Sequence, residues 1–362
     1  MRSSSTVAGC LMIGLCALLA DAPTAQATIG GESNAVPSTS VEPLSSLQRK
    51  LGPSFRPYRA KGFVVLSDAE PKWVRARLGL LGRTKHQFER FFDRLEIDLS
   101  EPPEELRCVI FAEHADYQRF AQETDKTVPP WAGGYYAPRA NRVVMFDERT
   151  SPVYLDAMDN LDDQRGRIAD AEARRLEAAR SGDAEAARAF DSWLNGARGT
   201  VGANAAAITE HFEAVSRAKL VHEAVHMLSY NTGLQSPYRL DPIWFTEGLA
   251  TAFETDGKAG GFGPRHPYLP REDEVDTIRA EGPRLEAIAM VSAHRIPDDT
   301  VGPAYTYSYA LFTHVARKKP EDLARFIRAL RTREGIVEDG LSLFREHFGE
   351  PASVARAAGL GR

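Results

Sequence analysis

The chain has 362 residues, 43% hydrophobic and 26% charged, enough for one large or two ordinary domains with a buried core. Lys and Arg total 45 against 50 Asp and Glu, a formal net charge of −5. That balance excludes an overall basic surface of the kind that serves nucleic acid or an anionic membrane as main partner.

Residues 1–27 read as a secretory signal peptide. Arg2 is a short basic start, VAGCLMIGLCALLA (7–20) is an apolar run too short to span a membrane comfortably, and AQA (25–27) is an A-x-A cleavage site. The mature chain is therefore expected to begin at Thr28, exported to the periplasm or beyond, with no stable membrane insertion after cleavage. Two alternatives are lipidation at Cys10 in VAGC and an uncleaved anchor. The first fits poorly, because the apolar run follows Cys10 instead of preceding it. Cys10 and Cys16 leave with the signal. Cys108, in LRCVIFA, then has no internal disulfide partner and reads as a small buried hydrophobe.

Residues 28–60 are rich in Ser, Pro, Gly and Thr and read as a flexible leader. A small α/β subdomain is expected over 61–150. It comprises a strand at GFVVLS (62–67), a helix over 71–95, a strand at LRCVIFA (106–112), a short helix over 115–123, and a hairpin over 132–147 around a Pro-Arg-Ala-Asn turn. Residues 151–203 read as a helical insertion. Its core (156–198) is an Ala-, Arg- and Glu-rich helical hairpin broken at Ser-Gly-Asp (181–183), either a solvated arm or a lid or dimerisation arm. From 204 to 362 the pattern is helical, interrupted near 233–241 and by the Gly- and Pro-rich loop DGKAGGFGPRHPYLP (256–270).

The chemistry concentrates in LVHEAVHML (220–228). Residues four apart lie on one helix face, so His222 and His226 direct imidazoles at one point. Glu223 is turned about 100° away and flanks that point. Downstream, DPIWFTEGLATAFE (241–254) sets Glu247 among Trp244, Phe245, Leu249 and Phe253, where an unpaired carboxylate would be costly. Two histidines and a glutamate are the ligand set of a catalytic zinc site with one open position. Gly248, Ala250 and Ala252 are expected to let this second helix approach the first. Thr251 or Glu254 can bond the free nitrogen of a ligand histidine. PAYTYSYALFTHVA (303–316) offers Tyr305, Tyr307 and Tyr309 as oxyanion partners. The GGYY segment either packs or grips a peptide backbone by strand addition. His86, His114, His211, His266 and His347 have no companion at ligand spacing, and His294 and His314 are candidates for a substrate-side donor.

On these residues the chain resembles the gluzincins, zinc peptidases with H-E-x-x-H and a downstream glutamate. HEAVH followed by WFTEGLATAFE is similar to their W-x-x-E-G-x-A pattern. The resemblance implies an α+β, zincin-like fold with the site in a cleft between an α/β unit and a helical unit. It implies one Zn²⁺ per chain on His222, His226 and Glu247, Glu223 as general base, and Tyr305, followed by Ser308 and ALF, as oxyanion partner. A peptide or protein substrate follows from it. Over most of 62–317 the chain also resembles a secreted bacterial group known as domain of unknown function 1570. The G-x-M-E-N segment of the aminopeptidases does not occur, so aminopeptidase activity is not implied. Two other readings stand beside the peptidase: a non-catalytic zinc-bearing module that binds peptide or cell wall, and a helical interaction protein carrying the motif by accident.

Overall fold

The computed structural model describes residues 42–126, 133–236, 239–258, 260–281, 301–333, 335–336 and 340–360. The expected signal peptide, residues 28–41 of the expected leader and His294 lie outside them. The described residues form two compact units. One comprises those up to Phe146 together with those from Arg217 onward; the other is Asp147–Ser216. No helix among them is long and apolar enough to cross a membrane.

The first unit is a mixed α+β structure. Helix α1 (Leu44–Leu51) is followed by strands β1 (Arg56–Ala60) and β2 (Phe63–Ser67), helix α2 (Pro71–Arg94), strand β3 (Leu106–Phe111) and helix α3 (His114–Phe120). The hairpin β4 (Gly134–Ala137) and β5 (Arg142–Phe146) completes a five-stranded sheet in the order β1-β2-β3-β5-β4. The central strands β2, β3 and β5 are parallel, and β1 and β4 are antiparallel edges. α2 is the crossover that parallel pairing of β2 and β3 requires. Its start is set by Pro71 at the first helical position and by the Glu70 carboxylate, which accepts from the Lys72 and Trp73 amides at 2.8 and 2.7 Å.

The inner strands β2, β3 and β5 are mostly apolar because both faces of the sheet are covered there, whereas the edge strand β1 is largely exposed. Phe63, Val65, Cys108, Ile110, Val143 and Met145 face one cluster, which also holds Phe88, Phe91 and Phe92 of α2. Leu66, Val109, Phe111, Val144 and Phe146 alternate onto the other, with Tyr117, Phe55 and Leu47. This second cluster overturns the expected leader in part. Residues 44–51 and 56–60 are a helix and a strand, and Leu44, Leu47 and Leu51 recur at helical spacing to cover the sheet.

The second unit holds α4 (Pro152–Arg180) and the first part of α5 (Ala184–Asn231). The expected break at 181–183 is present, with Gly182 at φ 80° and Asp183 Oδ1 capping the Ala186 amide at 2.9 Å. The expected end of the second helix near 198 is not: α5 runs unbroken through Gly196, Gly199 and Gly202 to Asn231. Arg175–Asp191 and Arg198–Glu172 ion pairs bind the two helices, over a narrow stripe that includes Leu161, Ile168 and Leu194.

After α5 come the short strand β6 (Arg239–Leu240), α6 (Ile243–Phe253), α7 (Leu269–Glu281), α8 (Val301–Lys318) and α9 (Pro320–Arg331). Strand β7 (Gly335–Ile336), α10 (Gly340–Phe348) and α11 (Pro351–Ala357) complete the described chain. Trp244 of α6 packs on Phe326, Phe344 and Phe348, at 5.1, 5.1 and 5.6 Å between ring centroids. The helical half and the sheet share one core.

Candidate metal centre

α5 presents Leu220, Val221, Ala224, Val225 and Leu228 to the core and ends at Asn231, where Gly233 takes φ 71°. The chain returns through a buried Arg239–Asp241 ion pair, whose guanidinium also donates to the Leu234 carbonyl at 3.3 Å. α6 follows with every residue buried except Thr246. Glu247 is thereby brought to the two histidines of α5.

The three side chains meet at one point. His222 Nε2 and His226 Nε2 are 3.1 Å apart, and Glu247 Oε2 lies 3.2 Å from the first and 3.5 Å from the second. Ligands about 2.0–2.1 Å from a tetrahedral zinc stand roughly 3.3–3.4 Å from one another, so these separations match three corners of such a site. Among the described residues this is the cluster of histidine, cysteine and acidic side chains able to hold a metal ion. It draws Glu247 to the histidines, as its apolar setting requires.

His222 is bracketed. Its Nδ1 faces Glu254 Oε1 at 3.1 Å while its Nε2 faces Glu247. Burial disfavours the imidazolium, but the two carboxylates outweigh burial and push its pKa up. Burial likewise opposes ionisation of Glu247, yet His226 and His222 hold it well below the usual carboxylate range. The site is thus built to accept positive charge. Of the two expected orienting residues, Glu254 is the one in place. The Thr251 hydroxyl is turned to its own helix, donating to the Glu247 carbonyl at 2.6 Å.

Sequence reasoning did not find what holds Glu254. Arg271 of α7 donates to both its oxygens, at 2.8 and 3.0 Å, and to Glu274 at 2.9 Å. Glu274 in turn accepts from Thr306 of α8 at 2.7 Å. In the sequence Arg271 opens the run REDEVD, which looks like a solvated charged face, and its main partner lies 17 residues away.

Glu223 is also buried. Its Oε2 accepts from the Tyr136 amide of β4 at 2.7 Å. Burial pushes its pKa up against the pull of His222 and His226. The hairpin is tied to α5 by further bonds: Tyr136 stacks on Tyr230 at 5.7 Å, its hydroxyl donates to Asn141 at 2.9 Å, and the amides of Asn141 and Asn231 bond reciprocally at 2.7–2.8 Å. Asn141, at φ 48°, closes the expected turn. The Tyr135 and Tyr136 rings pack, and strand addition at the free edge of β4 would have to proceed without the Tyr136 amide.

The three tyrosines of α8 separate. The Tyr305 ring lies 5.7 Å from that of His222. Tyr309 donates to Glu272 at 2.8 Å, and Tyr307 lies in the core. Gly248 acts differently from expectation. It admits α8, not α5: a Cβ there would lie 2.5 Å from the Ser308 carbonyl oxygen and 2.6 Å from Phe312 Cβ. Elsewhere, His114 packs on Phe146 and His347 on Phe326, as befits histidines outside the site.

The described chain is therefore a mixed α+β protein with a buried His-His-Glu cluster that could hold a metal. Residues 216–336 match the model of a family described as "Protein of unknown function (DUF1570)". The matched stretch contains His222, Glu223, His226, Glu247, Glu254, Arg271 and Tyr305, and leaves the five-stranded sheet outside it. No curated protein matches the chain.

Proposed function

We propose that the chain is an exported, zinc-dependent peptidase of the gluzincin type, with a zincin-like fold. The observation that carries this reading is the spacing of 3.1, 3.2 and 3.5 Å among His222 Nε2, His226 Nε2 and Glu247 Oε2. His222, His226 and Glu247 would hold one zinc ion. Bound there, zinc would acidify water and polarise a scissile carbonyl. Glu223, with its pKa raised by burial, takes a proton and returns it to the leaving amine. The Tyr136 amide fixes one oxygen of that carboxylate. Tyr305 brings a phenol beside His222, where it can hold an oxyanion. Export rests on the signal-like residues 1–27, and the substrate class on the resemblance to peptidases.

The same Tyr136–Glu223 bond favours the alternative, a non-catalytic zinc-bearing peptide or cell-wall binding module, because it engages one oxygen of the candidate base. One experiment separates the readings. Metal content is measured on wild type, Glu247→Ala and Glu223→Gln, and hydrolysis is followed on a mixed peptide library. One zinc per chain, lost in Glu247→Ala and kept in Glu223→Gln, with hydrolysis absent only from the variants, is the expected result. Zinc without hydrolysis in wild type moves the assignment to the binding module. A wild type that retains no zinc after loading ends both.

A further inference from the structure

Away from the His-His-Glu cluster, a concavity of about 550 Å³ opens where the end of α2 meets the loop after α6. Gln87, Arg90 and Arg94 line it from α2, and Arg265, His266 and the Gly260–Gly261 backbone line it from the loop. Residues 87, 90 and 94 recur at helical spacing, so one face of α2 points three polar side chains into it. The adjoining face carries Phe88, Phe91 and Phe92 into the core, which fixes the helix's rotation. Gly261 leaves room for the exposed His266 ring. A Cβ there would lie 3.0 Å from Cε1 and Nε2 of His266 and would push the imidazole from the rim.

The charges are unbalanced. No carboxylate lines the concavity, and Arg90, Arg94 and Arg265 make no ion pair among the described residues. Arg119, Arg165, Arg175, Arg198 and Arg325 each hold an acidic partner, whereas Arg75, Arg83 and Arg188 are exposed and also make no ion pair among the described residues; what sets Arg90, Arg94 and Arg265 apart is that they line one concavity. Glu89, next to Arg90, is taken by Lys85 at 3.0 Å. A cation near a helix C-terminus gains from the helix dipole, which accounts for Arg94. It does not account for a third arginine and a histidine brought to the same hollow from a separate loop. Like charges gathered without a counter-charge repel, and an anion removes that repulsion.

We propose that this concavity is a binding site for a multiply charged oxyanion, a phosphate ester or a polycarboxylate. Guanidinium groups bond two oxygens of either group side by side. Three of them call for more than one negative charge, and the Gln87 amide and the His266 ring add further polar contacts. The volume falls within the roughly 300–1,000 Å³ of small-ligand sites and exceeds the needs of one inorganic ion. The chain as a whole is acidic, at −5, so the site is a local feature and not part of a basic surface.

The test is calorimetric titration of the full chain with pyrophosphate and with citrate, at constant ionic strength of about 0.15 M. It is run before and after chelation, so that its outcome does not depend on the metal reading. Saturable binding of one ligand per chain is expected. Arg90→Gln/Arg94→Gln/Arg265→Gln should weaken it at least about tenfold, since charge-assisted bonds are lost. Gly261→Val, which leaves every charge in place, should weaken it less. Preference for pyrophosphate or for citrate assigns the phosphate or the carboxylate class. These arginines are exposed, so the triple variant should melt with wild type. No saturable binding by wild type beyond a sodium chloride control, or equal binding by the triple variant, overturns the proposal.

Discussion

The Tyr136 amide of β4 donates a 2.7 Å hydrogen bond to Oε2 of Glu223, joining the edge of the sheet to the helix that carries both histidines. In an antiparallel pair, backbone groups alternate between the partner strand and the free edge. Tyr136 therefore turns its edge-facing amide to Glu223, and the hairpin sets where that carboxylate sits.

Proline at position 136 would delete this backbone donor but also the Tyr136 ring, so the supports of the bond are the cleaner target. Asn231 bonds Asn141 and also the Met227 carbonyl at 2.8 Å. Asn231→Ala removes these bonds, at a cost of about 1–2 kcal/mol, and frees the hairpin from α5. The Tyr136 amide should then exchange with deuterium faster than in wild type, while the amides of β2 and β3 keep their protection. Unchanged exchange at Tyr136 would show that the hairpin holds its place without Asn231.

Glu254 argues for a second outcome. Its carboxylate holds Nδ1 of His222 and is itself held by Arg271. Partners of this kind orient a ligand histidine, and their loss typically weakens metal binding about 10- to 100-fold. Glu254→Gln leaves Arg271 its bond to Glu274 and so spares the fold. Competition with a chromophoric chelator should show the loss of zinc affinity. Thr251→Val, which touches only carbonyls of its own helix, should leave the affinity nearly unchanged.

These contrasts mark what was legible in the sequence. His222, His226 and Glu247 could be brought together because helical spacing acts locally, and an apolar helix demands a partner for its carboxylate. The choice of Glu254 over Thr251 depends on rotation of α6 against α5, and Arg271 depends on the path of a loop rich in glycine and proline; neither leaves a periodic trace. The expected extent of the hairpin, to residue 198, fell short for a different reason. Gly196, Gly199 and Gly202 stand in open space, and each costs about 1 kcal/mol relative to alanine without ending the helix. In residues 42–60, serine and proline masked a helix whose three leucines are spaced for burial.

That helix gives a third prediction. Leu47 is 1% exposed and seals the face of the sheet that holds Val109, Phe111 and Val144. Leu47→Ala should cost about 2–5 kcal/mol in denaturant unfolding. Removing residues up to 60 should expose the same face and yield a chain that aggregates. A chain starting at residue 61 that melts with full cooperativity would return 42–60 to the status of a leader.

Gly248 provides the sharpest packing test. Its helix would gain about 1 kcal/mol from alanine by propensity alone. A Cβ, however, would meet the Ser308 carbonyl oxygen at 2.5 Å and Phe312 Cβ at 2.6 Å, and backbone cannot swing aside as a side chain does. α8 must then move outward, and with it Tyr305, one turn before Ser308. Overpacking of this kind costs about 1–3 kcal/mol, which outweighs the gain in propensity. Gly248→Ala should therefore lower the melting temperature and weaken zinc binding through its neighbour Glu247. Gly166→Ala is the control: it also lies within a helix, with nothing within 4 Å of its added Cβ, and should stabilise. If both variants melt above wild type, α6 and α8 do not approach at Gly248, and Tyr305 has no fixed place beside His222.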